Sequence, residues 1–373
     1  MKKLLLITSV SLMLTLFAGA TIRRVAYFGI PITGVDYTNF NSAYAAAVSG
    51  DTIYVFPGVT GIGQTFTKKL IVIGPGDFLD STATPKGNAY LQANTGVATV
   101  SSISFNAGSE GSVIAGFEGG TCYVGASNIT ITRNRDLNIY LSSPAANYSN
   151  LQIIQNYKVS ISATSANGSN ISNMLVSNNL IATFYTPIGN NYTGNISNNV
   201  WAYDNTANNT NGGSETMSNG NNIELGNGQY LLENNIFENY TNTNVANNYL
   251  YFVFNDGGNC VFNYNLALQT ATPINWGSGT GNVITPIANA AKIFAAFPVI
   301  GTSSADARYM LAAGSPASTI GAGGKPIGMF AGNNPYKLSL IPAIPTIYKL
   351  SSPQGNNPPG NTITINLSTR ANN

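Results

Sequence analysis

The segment MLVSNNLIATF, from Met174 to Phe184, decides the fold of this 373-residue chain. Apolar residues occupy both of its ends, as in a buried β-strand, but Ser177, Asn178 and Asn179 interrupt its middle. Burying an amide costs free energy unless that amide is hydrogen-bonded. We therefore interpret the segment as two short strands that meet at a corner, with the asparagines at the bend.

The same pattern, in which an apolar residue lies three positions before an asparagine, recurs along the middle of the chain. It ends at Asn134, Asn156, Asn179, Asn199, Asn235 and Asn265. The spacings are 22, 23, 20, 36 and 30 residues, and the two longer ones are interpreted as the same unit with loop insertions. Such a short unit cannot bury its apolar face alone. The repeat therefore predicts a solenoid, in which successive coils stack into parallel strands.

The recurring asparagines are predicted to be structural. Stacked in register at about 4.8 Å per coil, their side-chain amides would hydrogen-bond one another in a ladder. Asparagine also tolerates the left-handed backbone conformation that a tight corner requires. The alternative, that these amides bind a ligand, is disfavoured by their recurrence at coil spacing.

The two ends of the chain differ in composition from its middle. The first residues, MKKLLLITSVSLMLTLFAGA, have the charged start, apolar run and small-residue end of a secretory signal peptide. We therefore predict a signal peptide over residues 1–20, the solenoid of parallel strands over 21–333 and a Pro-rich extended tail over 334–373, with a last strand over Thr362–Ser368. The mature protein is expected to be secreted or on the cell surface, with no membrane span.

A short amphipathic helix is predicted before the first coil. The stretch NFNSAYAAAVSG offers Asn39 or Asn41 as the N-cap. Phe40, Tyr44 and Val48 fall on one face, because they are spaced four residues apart. Such a helix would cover an otherwise open sheet edge.

Composition excludes several classes of function. Charged residues are only 8% of the chain and the net charge is +2, so there is no electrostatic footprint for nucleic acid or acidic membranes. The absence of histidine excludes an imidazole general base, a Ser-His triad and a Cys-His dyad. Cys122 and Cys260 would lie about five coils apart, too far for a disulfide, and are predicted to be free buried thiols.

Three stretches carry a resemblance to a known family. NFNSAYAAAVSGDTIYVFPG looks like the N-terminal cap and first strand of the pectate-lyase-like, right-handed parallel β-helix superfamily, and the Asn-ending repeats resemble its inner coils. RYMLAAGSPASTIGAGGKPIGMF is similar to the closing segment common in secreted bacterial β-helix proteins. The resemblance covers about residues 36–335 and implies an all-β, right-handed parallel β-helix. It implies little about activity, because this fold hosts lyases, hydrolases, epimerases, tailspikes and adhesins.

The resemblance raises the question of catalysis. Polygalacturonase-type hydrolases share clustered aspartates and a Gly-His-Gly sequence, which are absent here. Pectate-lyase-type enzymes hold calcium with acidic residues and use an arginine or lysine to remove the C5 proton of a uronate. Lys158, Arg133 and Arg135 are the candidate catalytic residues on this basis, although the arginines could equally be solvated turn residues and Lys158 a surface lysine. No cofactor or metal is expected, with Ca²⁺ only under this lyase alternative, because the carboxylates are not clustered in the sequence.

We expect binding residues in loops and on the flank of the coils, because function concentrates on loops of a rigid scaffold. The candidate ligand-binding residues are Tyr192, Tyr203, Glu215 and Glu224. Two functions stay open. One is a non-catalytic extracellular β-helix that binds an extracellular polysaccharide or cell-surface glycan, adheres, or is structural. The other is a polysaccharide lyase that acts on uronate-containing glycans by β-elimination, which convergence of Lys158 and the two arginines with carboxylates would favour.

Overall fold

The computed structural model describes residues 20–27, 36–79, 95–141, 147–163, 170–186, 191–202, 223–225, 228–238, 260–269, 276, 279–296, 304–351 and 364–371. Residues 1–19 of the predicted signal peptide lie outside this part of the chain, as do the candidate residues Tyr203 and Glu215.

Strands account for most of the regular structure in the described residues. The helices are α1 (Phe40–Ala46) and α2 (Ala290–Ile293), and short 3₁₀ turns lie at Ile287–Asn289, Asp306–Tyr309, Pro316–Ser318 and Leu338–Leu340. The strands in chain order are β1 (Ile22–Val25), β2 (Thr52–Val55), β3 (Ile62–Phe66), β4 (Ile71–Ile73), β5 (Val100–Phe105), β6 (Val113–Ala115), β7 (Thr121–Val124), β8 (Thr130–Thr132), β9 (Asn138–Tyr140), β10 (Asn147–Ser149), β11 (Gln152–Ile154), β12 (Val159–Ser162), β13 (Asn170–Ser177), β14 (Leu180–Tyr185), β15 (Asn191–Ser197), β16 (Val200–Trp201), β17 (Ile223–Glu224), β18 (Gln229–Glu233), β19 (Ile236–Glu238), β20 (Val261–Asn263), β21 (Leu266–Gln269), β22 (Val283–Pro286), β23 (Thr346–Ser351) and β24 (Asn366–Arg370).

Two long parallel sheets form the body of the molecule. Sheet A has the order β1-β2-β4-β6-β8-β11-β13-β15-β18-β20, with β10 beside β13. Sheet B has the order β3-β5-β7-β9-β12-β14-β16-β19-β21-β22, with β17 beside β14. The chain passes from one sheet to the other in each coil, and neighbouring strands are parallel throughout both sheets. The fold is therefore an all-β parallel β-helix, as the repeats predicted.

The six predicted asparagines are stacked in one buried ladder at the corner between the sheets. The side-chain oxygen of Asn199 accepts hydrogen bonds from both the backbone N–H and the side-chain amide of Asn179, each at 3.0 Å. The Nδ2 atom of Asn199 donates to the backbone oxygens of Val176 at 2.9 Å and Ser197 at 3.1 Å. Each rung thus ties its own coil to the coils on both sides.

The ladder extends beyond the predicted residues. Asn265 donates its backbone N–H to the side-chain oxygen of Asn282 at 3.0 Å, so Asn282 is a further rung. At the other end, Phe117 occupies the asparagine position and its N–H donates to Asn134 Oδ1 at 3.1 Å.

The expectation that the ladder asparagines themselves adopt the left-handed conformation is wrong. The residue with positive φ is the one before each rung, with φ between 55° and 59° at Arg133, Gln155, Asn178, Asn198, Asn234 and Tyr264. The left-handed residue turns the chain and points its own side chain outward. The rung that follows can then direct its amide into the interior.

Helix α1 covers the first coils but is shorter than expected. Asn39 is its N-cap, since its side chain accepts the N–H of Ser42 at 2.8 Å. Phe40 is buried and the Tyr44 ring lies 5.5 Å from that of Phe66. Val48 lies beyond the last helical residue and is 58% exposed, so its predicted place on the buried face is wrong.

The interior of the coils is filled by side chains that alternate inward from the two sheets. The largest are aromatic, and the rings of Trp201 and Phe237, one coil apart, are stacked at 5.4 Å. Cys122 and Cys260 are buried free thiols in this core.

A closing segment, defined here as residues 304–344, runs back along the ladder corner towards the N-terminal coils. The outward side chains of the left-handed residues bind its backbone: Asn234 Oδ1 accepts from Ala322 at 3.0 Å, and Arg133 Nη1 donates to Ile341 at 2.7 Å. Between them, Asn178 binds the carbonyls of Met329 and Ala331, and Gln155 binds those of Asn334 and Pro335.

The closing segment also buries an apolar column of the solenoid that faces away from the interior. Leu180, Val200, Ile236 and Leu266 lie side by side in register on sheet B. They form a second hydrophobic core with residues of the closing segment, including Ile327, Met329, Tyr336 and Leu340. The closing segment includes residues 333 and 334, between which the sequence predicted the boundary of β-helix and tail. That domain boundary stays a prediction.

The end of the tail forms a separate two-stranded antiparallel sheet from β23 and β24. The strand predicted over Thr362–Ser368 is displaced towards the C-terminus, since β24 spans Asn366–Arg370. Thr362 lies outside the described residues.

Replacing a central rung should destabilise the protein strongly. In Asn199→Ala the buried N–H of Asn179 loses its acceptor and the carbonyl of Val176 loses a donor. We expect the free energy of unfolding to fall by about 3 kcal/mol or more, since each unsatisfied buried group costs roughly 1–3 kcal/mol. Urea unfolding measures this. Asn170→Ala is the control, because the side-chain amide of Asn170 bonds to Asn147 at the exposed surface. A loss of stability in Asn170→Ala as large as in Asn199→Ala would contradict the ladder's role.

Stability should depend on the ionisation of Asp51 at the N-terminal end. Burial opposes ionisation of Asp51, but bonds from the N–H groups of Val48 and Thr21 and from Arg23 outweigh it and lower its pKa. A lowered folded pKa contributes stability above the unfolded value of about 3.9, and this is lost as pH falls through the folded pKa. The stability difference between the wild type and Asp51→Asn should therefore shrink below about pH 4. A difference that does not change between pH 7 and pH 3 would contradict this.

Candidate functional site

The outer face of sheet B presents two columns of side chains in register across successive coils. Inward residues such as Ile103, Cys122, Ile139 and Ile161 are buried, so the residues between them face outward. The first column is Gly63, Ser102, Thr121, Asn138, Ser160 and Thr183. The second column is Thr65, Ser104, Tyr123, Tyr140, Ser162 and Tyr185. The first is small and polar, and the second, called here the tyrosine column, contains three aromatic rings.

Two rings of the tyrosine column are stacked on each other. The centroids of Tyr123 and Tyr140 are 5.3 Å apart and their planes differ by 17°. Tyr123 is 40% exposed, and Tyr140 and Tyr185 are half-buried. The ring separation is close to the spacing of neighbouring strands, about 4.8 Å, so the rings follow the coils.

A row of charged side chains lies where the chain enters the strands of sheet B. This charged row consists of Asp77, Glu118, Arg135, Asp136 and Lys158. Glu118 and Arg135 are joined by an isolated parallel bridge, one coil apart. In a chain with only 8% charged residues, this concentration at one edge of one face singles the region out.

Arg135 is the centre of the charged row. Its guanidinium lies 2.9 Å from Asp136, 3.3 Å from Asp77 and 3.5 Å from Glu118. Its Cζ atom lies 4.6 Å from the centroid of the Phe78 ring. Lys158 Nζ lies 3.8 Å from the other oxygen of Asp136.

The charges in the row shift one another's pKa. Burial disfavours the charged form of Arg135, but Asp77, Asp136 and Glu118 outweigh it, so the pKa of Arg135 is raised. Burial also raises the pKa of the three carboxyl groups, against the attraction of Arg135. Arg135 is consequently held protonated, and its carboxylate partners are poised to bind protons more readily than exposed ones.

The three candidate catalytic residues do not converge completely. Arg135 and Lys158 share the charged row with carboxylates. Arg133 is directed away from it, with Nε 2.8 Å from Gln155 Oε1 and Nη1 bonded to the closing segment. Arg133 is 9% exposed, so its interpretation as a solvated turn residue is wrong. Its charge instead fixes the closing segment to the coils.

The candidate ligand-binding residues are placed differently from one another. Tyr192 is 1% exposed and its hydroxyl donates to Leu141 at 3.3 Å, so its ring belongs to the core and is not available to a ligand. Burial, with a smaller contribution from Tyr148, raises the pKa of Tyr192 to about 12. Glu224 lies in β17, beside Tyr185 on sheet B.

Sequence reasoning missed Tyr123, Tyr140 and Ser162 as parts of one surface. A signal for them exists, because each is the sixth residue after the ladder position of its coil, at Phe117, Asn134 and Asn156. Tyr185 is likewise the sixth residue after Asn179.

Neither a metal-binding cluster nor a membrane-spanning helix is found among the described residues. Among the described residues, no group of three or more His, Cys, Asp or Glu side chains is arranged to hold a metal ion. The helices in the same part of the chain are all too short or too polar to cross a membrane.

Similarity to known proteins is found only among solved structures. No protein-family model matches the chain, and no curated protein matches it. Among solved structures, the chain is similar to the crystal structure of pectate lyase Pel9A, with 16% sequence identity and a TM-score of 0.42. The similarity covers 85% of this chain and 97% of that chain.

Removing the arginine at the centre of the charged row should make stability sensitive to mild acid. Arg135→Met leaves Asp77 and Asp136 without their main counter-charge, so their raised pKa values should rise further. A carboxyl whose folded pKa lies above its unfolded value destabilises the fold at high pH, and protonation relieves the effect. We expect a loss of about 2 kcal/mol at pH 7 that is partly recovered at pH 5.

Thermal or urea unfolding at the two pH values measures this effect. Arg24→Met is the matched control, because the Arg24–Asp36 pair is exposed at 3.6 Å and should contribute less than about 1 kcal/mol. An Arg135→Met loss that is equal at both pH values would contradict the coupling within the charged row.

Proposed function

We propose that the protein is a non-catalytic, carbohydrate-binding β-helix of the cell exterior, and that the outer face of sheet B holds an extended polysaccharide. The observation that carries the proposal is the tyrosine column beside a parallel column of small polar residues. Aromatic rings give a sugar large apolar contact area, and Ser, Thr and Asn supply hydrogen-bond donors and acceptors for its hydroxyls.

The size of the face suits an extended chain better than a small molecule. Six registered strands, β3 to β14 of sheet B, span about 24 Å at about 4.8 Å per strand. A face of this length can contact more than one sugar unit. Location outside the cell rests on the predicted signal peptide over residues 1–20.

The state of the two arginines supports binding over catalysis. A β-elimination needs a base that can accept a proton from the sugar. The raised pKa of Arg135 keeps its guanidinium protonated among three carboxylates. Arg133 is occupied by Gln155 and by the closing segment.

The second candidate function is a polysaccharide lyase acting on uronate-containing glycans. The observation that favours it is that Lys158 and Arg135 meet Asp136 and Glu118 along one edge of the same face. Unsaturated-product absorbance on a panel of uronate polymers, with and without Ca²⁺, tests it. We expect no increase, and an increase that is lost in Lys158→Ala would replace the binding proposal.

The binding proposal predicts a specific effect of removing one ring. A glycan array on the mature protein should identify a polysaccharide, and Tyr140→Ala should weaken its binding up to about tenfold, since an aromatic contact contributes roughly 0.5–1.5 kcal/mol. Calorimetric titration measures the affinity. Tyr54→Ala is the control, because Tyr54 lies on the outer side of sheet A. Equal effects of the two substitutions, or binding to no glycan, would contradict the proposal.

A further inference from the structure

The tyrosine column contains a gap of one coil. Tyr140 and Ser162 are direct partners in neighbouring strands, and so are Ser162 and Tyr185. The backbone positions of Tyr140 and Tyr185 are therefore separated by two strand spacings, with Ser162 between them. We infer that this slot above Ser162 holds a single sugar ring of the bound polysaccharide, an inference that rests on the proposed function and specifies its ligand.

The height of the slot selects the kind of ring. Tyr123 and Tyr140, one coil apart, already stack at 5.3 Å, which leaves no room between them. Two spacings give about 9.6 Å. A flat aromatic ligand in contact with both rings would need a separation of only about 7–8 Å, twice the carbon–carbon contact distance. A pyranose chair is thicker than a flat ring, because hydrogens project from both of its faces, and it fills the slot better.

Contact on both sides also restricts the configuration of the sugar. A ring between two tyrosines must present C–H groups on each face, which is the case when all its hydroxyls are equatorial. The gluco and xylo configurations meet this condition. An axial hydroxyl, as in the galacto configuration, would be pressed against an aromatic face without a hydrogen-bond partner, which is unfavourable for a buried polar group.

The neighbouring column provides partners for the equatorial hydroxyls. Ser160 lies directly beside Ser162 along the same strand face, and Asn138 and Thr183 are its partners in the adjacent strands. Hydroxyl and amide groups can both donate and accept, so they suit the hydroxyls around the edge of the ring. The slot is therefore assigned to a β-linked polysaccharide of all-equatorial, gluco- or xylo-configured residues.

Filling the gap tests the assignment directly. Ser162→Tyr would complete the aromatic stack and occupy the slot. Ser104→Tyr is the matched control, since Ser104 is the partner of Tyr123 on the other side and adds the same ring to the same column without filling the slot. The probes are a tetrasaccharide of β-linked glucose and its galactose epimer. Each is titrated calorimetrically into the mature protein.

The wild type should bind the glucose tetrasaccharide and bind the galactose epimer at least about tenfold more weakly. Ser162→Tyr should lose about tenfold or more in affinity for the glucose ligand, and Ser104→Tyr should stay within about twofold. Circular dichroism and thermal unfolding establish that both variants are folded. If Ser162→Tyr does not fold, Ser162→Phe and Tyr185→Ala provide the same comparison, with Tyr185→Ala expected to weaken binding as Tyr140→Ala does.

The outcomes separate the slot from the proposed function. Equal binding of the two epimers overturns the assigned configuration. Unchanged binding in Ser162→Tyr, together with weaker binding in Tyr140→Ala, overturns the slot but leaves the outer face of sheet B as the binding surface. Binding of neither tetrasaccharide by a protein that binds other glycans also overturns the slot, and binding of no glycan at all overturns both.

Discussion

The buried amide ladder is the constraint on which the rest of the structure depends. A rung such as Asn199 forms hydrogen bonds with the coil before it and the coil after it. A coil therefore cannot shift by one residue without leaving buried polar groups unpaired. Hydrophobic packing inside the coils is non-directional and would tolerate such a shift more easily. The ladder therefore converts a loosely specified stack of strands into one register.

A fixed register has consequences on the outside of the molecule. The left-handed residue before each rung must point outward, which lines up Arg133, Gln155, Asn178 and Asn234 to bind the closing segment. The same register places the sixth residue after Phe117, Asn134, Asn156 and Asn179 on one column of sheet B. The tyrosine column is thus a direct product of the ladder, and a single serine in that series is enough to create a slot one sugar ring high.

Much of the fold could be predicted from the sequence, because the coil repeat and its asparagines are local patterns. The cap at Asn39 and the burial of both cysteines follow from the same kind of reasoning. Contacts across many coils could not be predicted in this way. The burial of Arg133 depends on Ile341, 208 residues away, and the core position of Tyr192 depends on how its coil stacks on Leu141. The candidate site could be predicted only in part. Lys158 and Arg135 could be proposed together from the sequence, but the tyrosine column becomes visible only when residues are counted from the ladder position of each coil.

We infer that the ladder register builds a sugar-binding column on the outer face of sheet B. A crystal structure of the protein with an oligosaccharide of β-linked glucose bound tests this inference. We expect electron density for a pyranose ring above Ser162, in contact with the rings of Tyr140 and Tyr185, with its linked sugars outside the slot on the outer face of sheet B. Density for the ligand on another face, or Tyr140 and Tyr185 in different columns, would contradict it.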